Sequence, residues 1–85
     1  LYFEDGNIDE VFRKLKEAKV MFLHEIHKEP WGQRTIRFFD PDDHLIEIGE
    51  PLEVFVKNMK NDGLSIVQIS EKSGIPEETV RQILT

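Results

Sequence analysis

Cysteine is absent from these 85 residues, which rules out a disulfide framework and any thiolate metal site and fits a reducing compartment. No apolar run approaches the roughly 20 residues that a membrane helix needs, and no signal peptide is visible. The sequence therefore reads as a soluble, cytoplasmic protein with no membrane partner. It also lacks internal repeats, low-complexity stretches, a Gly-rich phosphate loop and any nucleophile constellation. Positive charge is scarce: 11 Lys and Arg stand against 17 Asp and Glu, for a net charge of −6. That balance repels phosphate backbones at long range, so nucleic acid would require a local basic patch. Most of the excess acid lies in residues 1–50, and the stretch from Pro51 is close to balanced.

What is present is enough apolar material to fold. Hydrophobic residues make up 39% of the chain, which argues against disorder. The length allows one small domain, or a small domain with a helical appendix, of marginal stability on its own.

Leu1-Tyr2-Phe3-Glu4 is an aromatic-rich strand stopped by Asp5-Gly6-Asn7, which is turn chemistry. The chain thus opens inside or at the edge of a strand, and a preceding segment is expected. Asn7 or Asp9 suits a helix N-cap. Ile8, Val11, Phe12 and Leu15, with Ala18, then recur at helical spacing up to about Lys19. Val20 to His27 alternates loosely as a strand, with Val20, Phe22, His24 and Ile26 on one face and Met21, Leu23, Glu25 and His27 on the other. Pro30-Trp31-Gly32 breaks it. Arg34 to Phe39 is the next strand, with Thr35, Arg37 and Phe39 opposite Arg34, Ile36 and Phe38. Asp40-Pro41-Asp42-Asp43 makes a tight turn into a last strand, His44 to Gly49.

Pro51 opens a different regime. Leu52, Val54, Phe55, Val56 and Met59 mark a short amphipathic helix ending at Asp62-Gly63. Ser65 can cap a second helix stopped by Gly74, and Pro76 can begin a third through Thr79, Val80, Ile83 and Leu84.

The stretch Pro30-Trp31-Gly32, Asp40-Pro41-Asp42-Asp43 and Leu45-Ile46-Glu47-Ile48 closely resembles the end of a module of the vicinal oxygen chelate superfamily. That superfamily includes glyoxalase I, extradiol dioxygenases, and fosfomycin- and bleomycin-resistance proteins. Leu1 to Phe3 followed by the amphipathic helix resembles the module's opening. The resemblance implies an α+β fold: a βαβββ half-domain over 1–50, with a three-helix appendix over 51–85. The strands should form a curved sheet whose outer face packs the helix and whose hollow face wants a second module. That module would come from a missing N-terminal half or a second chain, giving a dimer in the latter case.

By the same resemblance, Glu47 takes the place of a divalent-metal ligand, and Arg37, Thr35, Phe39 and Trp31 would line the cavity. Glu47 has a second reading, an ion pair with Arg37 or Arg34, and the residues leave both open. One carboxylate does not make a centre for Mg, Mn or Zn, because the family's other ligands lie at the start of the first strand and in the second module. The family's turn glycine is Asp43 here, a residue that tolerates left-handed geometry at some cost. The function implied is glyoxalase-like binding or transformation of a small molecule, metal-dependent as in lyases and dioxygenases. The alternatives are metal-free, drug-sequestering binding, and regulation through the helical tail.

Other residues are read more plainly. His24 and His27, three apart on a regular strand, face opposite ways, and only a bend would bring them together; they are read as surface or cavity-lining histidines. His44 caps the turn or faces water, and Trp31 serves as a pocket wall or a packing anchor. In the tail, Ile69-Ser70, Gly74, Val80 and Ile83 have helix-turn-helix spacing. The would-be recognition helix offers Glu77 and Glu78 where phosphates would sit, with only Lys72, Arg81 and Gln82 to read DNA. Nucleic acid is therefore disfavoured, and packing or protein contact is expected.

Overall fold

The computed structural model describes residues 1–85. Eight elements follow in order: β1 (Tyr2–Glu4), α1 (Ile8–Glu17), β2 (Met21–Lys28), β3 (Arg34–Phe39), β4 (Leu45–Gly49), α2 (Leu52–Asn61), α3 (Ile66–Ser73) and α4 (Glu77–Leu84). The four strands form one sheet in the order β1-β4-β3-β2, with β1 parallel to β4 and the other pairs antiparallel. This is the expected α+β architecture, a βαβββ sheet followed by three helices.

Helix α1 begins where Asn7 accepts a hydrogen bond from the Glu10 amide at 3.2 Å, satisfying one of the free donors of the first turn. Its apolar stripe, Ile8, Val11, Phe12 and Leu15, packs on one face of the sheet against Ile36, Phe38, Phe22, Ile26, Ile46 and Ile48. The wet side carries Arg13, paired with Glu10 and Glu17. Cross-strand partners share a face, so Tyr2–Glu47, Glu47–Arg37, Thr35–Gly49 and Phe39–Leu45 stand together on the side away from α1.

Strand β2 departs from regular alternation. Phe22 pairs with Phe38, but His24 pairs with Arg37 and His27 with Thr35, so two register shifts interrupt the ladder. Each inserts an extra residue on this edge strand and resets which face follows. The expectation that His24 and His27 face opposite ways is therefore corrected. Both stand on the face away from α1, with ring centres 5.5 Å apart.

The helical tail has its own core of Phe55, Val56, Met59, Ile69 and Val80. Ser65 forms a capping box with Gln68. The α3–α4 turn is held by Gly74 in the left-handed region, φ 77°, by Ser70 Oγ donating to the Ile75 carbonyl, and by Ser73 Oγ donating to that of Ile69. The small residues of the helix-turn-helix spacing are thus spent on the turn itself. Arg81 faces Glu77 at 3.6 Å, which leaves one basic group fewer for a phosphate.

Sheet and tail meet along one end of the sheet, where Lys28 of β2 also pairs with Asp62 at 3.7 Å. Gly32 has φ 99°, and a Cβ there would lie 2.6 Å from Met59 Sδ, so the Trp-Gly pair is fixed by both backbone and neighbour. Beside it, the fully buried Glu50 carboxylate accepts from the Arg34 amide at 2.9 Å, from Arg34 Nε and Nη2 at 3.1 and 3.0 Å, and from Asn58 Nδ2 at 3.3 Å. Burial works against the Arg34 cation, but the Glu50 and Asp9 carboxylates outweigh it and hold its pKa above the ordinary value. Removing one member of such a pair strands the other. Glu50→Ala should cost about 3 kcal/mol of unfolding free energy in urea denaturation, whereas Asp9→Ala, removing an exposed partner, should cost under about 1 kcal/mol.

Candidate functional site

The sheet face away from α1 collects the chemically active side chains. At its centre Arg37 Nε lies 3.3 Å from Glu47 Oε1, and both side chains are partly buried. Of the two partners open to Glu47, Arg37 is the one it takes; Arg34 goes to Glu50 and Asp9. Tyr2, beside Glu47 on β1, donates to Glu4 Oε2 at 3.2 Å and accepts from Gln33 Nε2 at 2.9 Å. Partial burial pushes the Tyr2 phenol up, and the Glu4 and Glu47 carboxylates add to that, while the Gln33 hydrogen bond opposes it.

One end of this face is roofed by the β2–β3 loop. Gln33 bridges Tyr2 and the Glu50 carbonyl, and Trp31 Nε1 donates to Gln33 Oε1 at 3.0 Å. The roof requires glycine beneath it, since a Cβ on Gly49 would sit 2.6 Å from Gln33 Nε2 and 2.7 Å from the Tyr2 hydroxyl. Thr35, fully buried under the loop, donates to Glu29 Oε1 at 2.9 Å. The other end is open, and Met21, Leu23 and Leu45 are exposed.

The expected cavity residues thus fall in three settings. Arg37 stands on the open face with Glu47. Thr35 lies under the loop, and Trp31 belongs to the loop and acts as its anchor. Phe39 lines a shallow concavity of about 280 Å³ with Met21 and Asp40. Within this chain they border an open wall and do not enclose a chamber. A polar concavity of about 300 Å³ lies on the tail side, over Arg34, Glu50 and Asn58. Sequence reading missed Glu50 and Gln33, the residues that tie this wall to the tail and roof. The signal was slight: Glu50 sits at the strand's end before Pro51, where alternation gives no facing.

A group of three metal-type ligand atoms lies elsewhere, at Asp40, Asp42 and His44 in the β3–β4 turn. Its geometry is explained by the turn. Asp40 Oδ1 accepts from the amides of Asp42 and His44 at 2.9 and 2.8 Å, and the His44 ring meets Oδ2 at 3.2 Å. Asp43 adopts φ 63°, the left-handed geometry that the family gives to glycine.

Residues 1–53 match the glyoxalase-like domain family. Among solved structures, a protein of unknown function from Agrobacterium tumefaciens str. C58 is 44% identical over 61% of this chain and 40% of its own, with a TM-score of 0.56. TioX from Micromonospora sp. ML1 is 25% identical over 61% of this chain and 42% of its own, with a TM-score of 0.59. The chain thus spans about two fifths of these proteins' length, and the residues matched by the family are the sheet with α1. No curated protein matches it.

The turn yields a pH prediction. Hydrogen bonds from the His44 amide, then its ring and the Asp42 amide, hold the Asp40 carboxyl below the usual 3.8. A folded pKa below the unfolded one adds stability that is present above the unfolded value and lost as pH falls through the folded value. Melting curves taken from about pH 5 to about pH 2 should show a shallower acid loss in Asp40→Asn, whose amide oxygen still accepts but does not titrate.

Proposed function

Because this chain belongs to the glyoxalase-like domain family, we propose that its open sheet face is one wall of a small-molecule site, closed by a second βαβββ module. The observation that carries this reading is the Arg37–Glu47 pair, two opposite charges centred on an otherwise uncovered face. Exposed Tyr2, Leu23 and Leu45 around it supply apolar area that a facing module and a ligand would cover. In the A. tumefaciens protein the matched part is two fifths of the chain, which leaves room for a second module of this size.

A divalent ion at Glu47 would have to take the carboxylate from Arg37. The group of three ligand atoms in this chain excludes Glu47, so its own residues do not fit a metal centre there. No chemical step is therefore routed through an ion. Binding is the reading these residues support, with the guanidinium receiving a ligand's carboxylate or other anionic oxygen and Glu47 holding the guanidinium in place. This is the metal-free, sequestering form of the family's behaviour.

Two measurements test it. Titration with the anionic aromatic probe anilinonaphthalene sulfonate should show about tenfold weaker binding in Arg37→Ala, a loss typical of one charge-assisted hydrogen bond. Metal analysis after dialysis against Mn²⁺ should give the same content in wild type and Glu47→Gln. One equivalent of Mn²⁺ lost on that substitution would replace the ion-pair reading with a metal centre.

A further inference from the structure

Strand β3 carries two arginines, and only one of them is filled. Arg34 holds two carboxylates at once. Glu50 Oε2 accepts from its Nε and Nη2 at 3.1 and 3.0 Å, and the two Asp9 oxygens accept from Nη1 and Nη2 at 3.2 Å each. Arg37 has one carboxylate partner, Glu47, which it meets through Nε at 3.3 Å. Its two terminal nitrogens donate to no group of this chain. A guanidinium presents such nitrogens as a fork that fits a carboxylate in bidentate fashion. The open fork of Arg37 is therefore the position that Asp9 occupies on Arg34.

The register of the sheet says what lies beside that fork. His24, Arg37, Glu47 and Tyr2 form one rung across all four strands. Toward the roof, the next rung is closed, since Thr35 is fully buried and donates to Glu29. Away from the roof, Met21, Phe39 and Leu45 form an apolar rung, with Met21 and Leu45 exposed. Rungs two residues apart are separated by about 7 Å, the span from a carboxyl carbon across a benzene ring to a short substituent. The shallow concavity of about 280 Å³ beside Met21 and Phe39 has Asp40 and Asp43 on its rim against one cation, Lys19. A second acid group at that end would be repelled.

Resting on the reading of the open face as a ligand wall, we propose that its ligand is a monocarboxylic acid with a flat apolar body, an aryl carboxylate. The carboxylate takes Nη1 and Nη2 of Arg37, and the ring lies along the rung of Met21, Phe39 and Leu45. Glu47 stays on Nε, as Glu50 does on Arg34. One guanidinium then balances two carboxylates, an arrangement this chain already holds at Arg34. The same balance suits a single negative charge and disfavours a dianion such as phosphate.

The test is an amide NMR titration of the full chain near neutral pH with para-ethylbenzoate, its uncharged amide and terephthalate. Para-ethylbenzoate should shift the signals of β3, with the amide and terephthalate each about tenfold weaker. Arg37→Ala should weaken para-ethylbenzoate about tenfold. Met21→Ser and Leu45→Ser, at exposed positions, should each weaken it about threefold or more through lost apolar contact. If Arg37→Ala leaves both para-ethylbenzoate and anilinonaphthalene sulfonate unaffected, the reading of the open face fails and takes this proposal with it. If Arg37→Ala weakens the sulfonate, the ligand class alone is overturned by any of three results. These are an amide or terephthalate that binds as tightly as para-ethylbenzoate, Ser variants that bind it as tightly as wild type, or no β3 shift at about 10 mM para-ethylbenzoate.

Discussion

The Glu50 carboxylate is the contact on which the arrangement of the parts depends. It sits where β4 ends, and it gathers the amide and guanidinium of Arg34 from β3 and the amide of Asn58 from α2. Its own main chain accepts from Gln33 and donates to the Arg34 carbonyl. One residue thereby fixes the end of the sheet, the roof loop and the first tail helix. A buried carboxylate is expensive unless its lone pairs are filled, and a hydrophobic replacement of equal volume could be as stable. What the charge adds is direction. Its donors must arrive from defined sides, so α2 has one seat against the sheet, beside the Gly32–Met59 contact.

Much of the fold is legible in the sequence because its causes are local. The stripe Ile8, Val11, Phe12, Leu15 specifies α1, and Asn7, Ser65 and Gly74 mark ends through hydrogen bonds they make within three or four residues. The Asp40 turn can be read for the same reason. The failures are non-local. Alternation places His24 with Phe22 and Ile26, and nothing in Leu23-His24-Glu25 announces a bulge, because bulges need no glycine when both residues stay at negative φ. Glu50 gives no warning either, since its partners are 16 and 8 residues away and only the folded sheet brings them together.

The site is legible in part for a related reason. Pairing across β3 and β4 follows from the Asp40–Asp43 turn, so the register that sets Arg37 beside Glu47 is implied once that hairpin is drawn. That pairing explains why the alternatives for Glu47 narrowed to Arg37. Arg34 is three residues away on the same strand and lies on the opposite face, where the end of β4 presents Glu50.

The bulges of β2 and the openness of the adjoining face have one physical origin. A strand at the edge of a sheet exposes unpaired backbone groups and invites pairing with another chain. Twisting it with two inserted residues and ending it in Lys28 blunts that edge, but the same insertions turn both His24 and His27 onto the open side. With Leu23 displaced and exposed, the strand gives up apolar cover that regular alternation would have kept. The cores that remain are small, three fully or nearly buried side chains between α1 and the sheet and five in the tail. A fold with so little buried apolar surface has a margin of only a few kcal/mol. Any partner that covers the Arg37–Glu47 face would then add a contribution comparable with that margin.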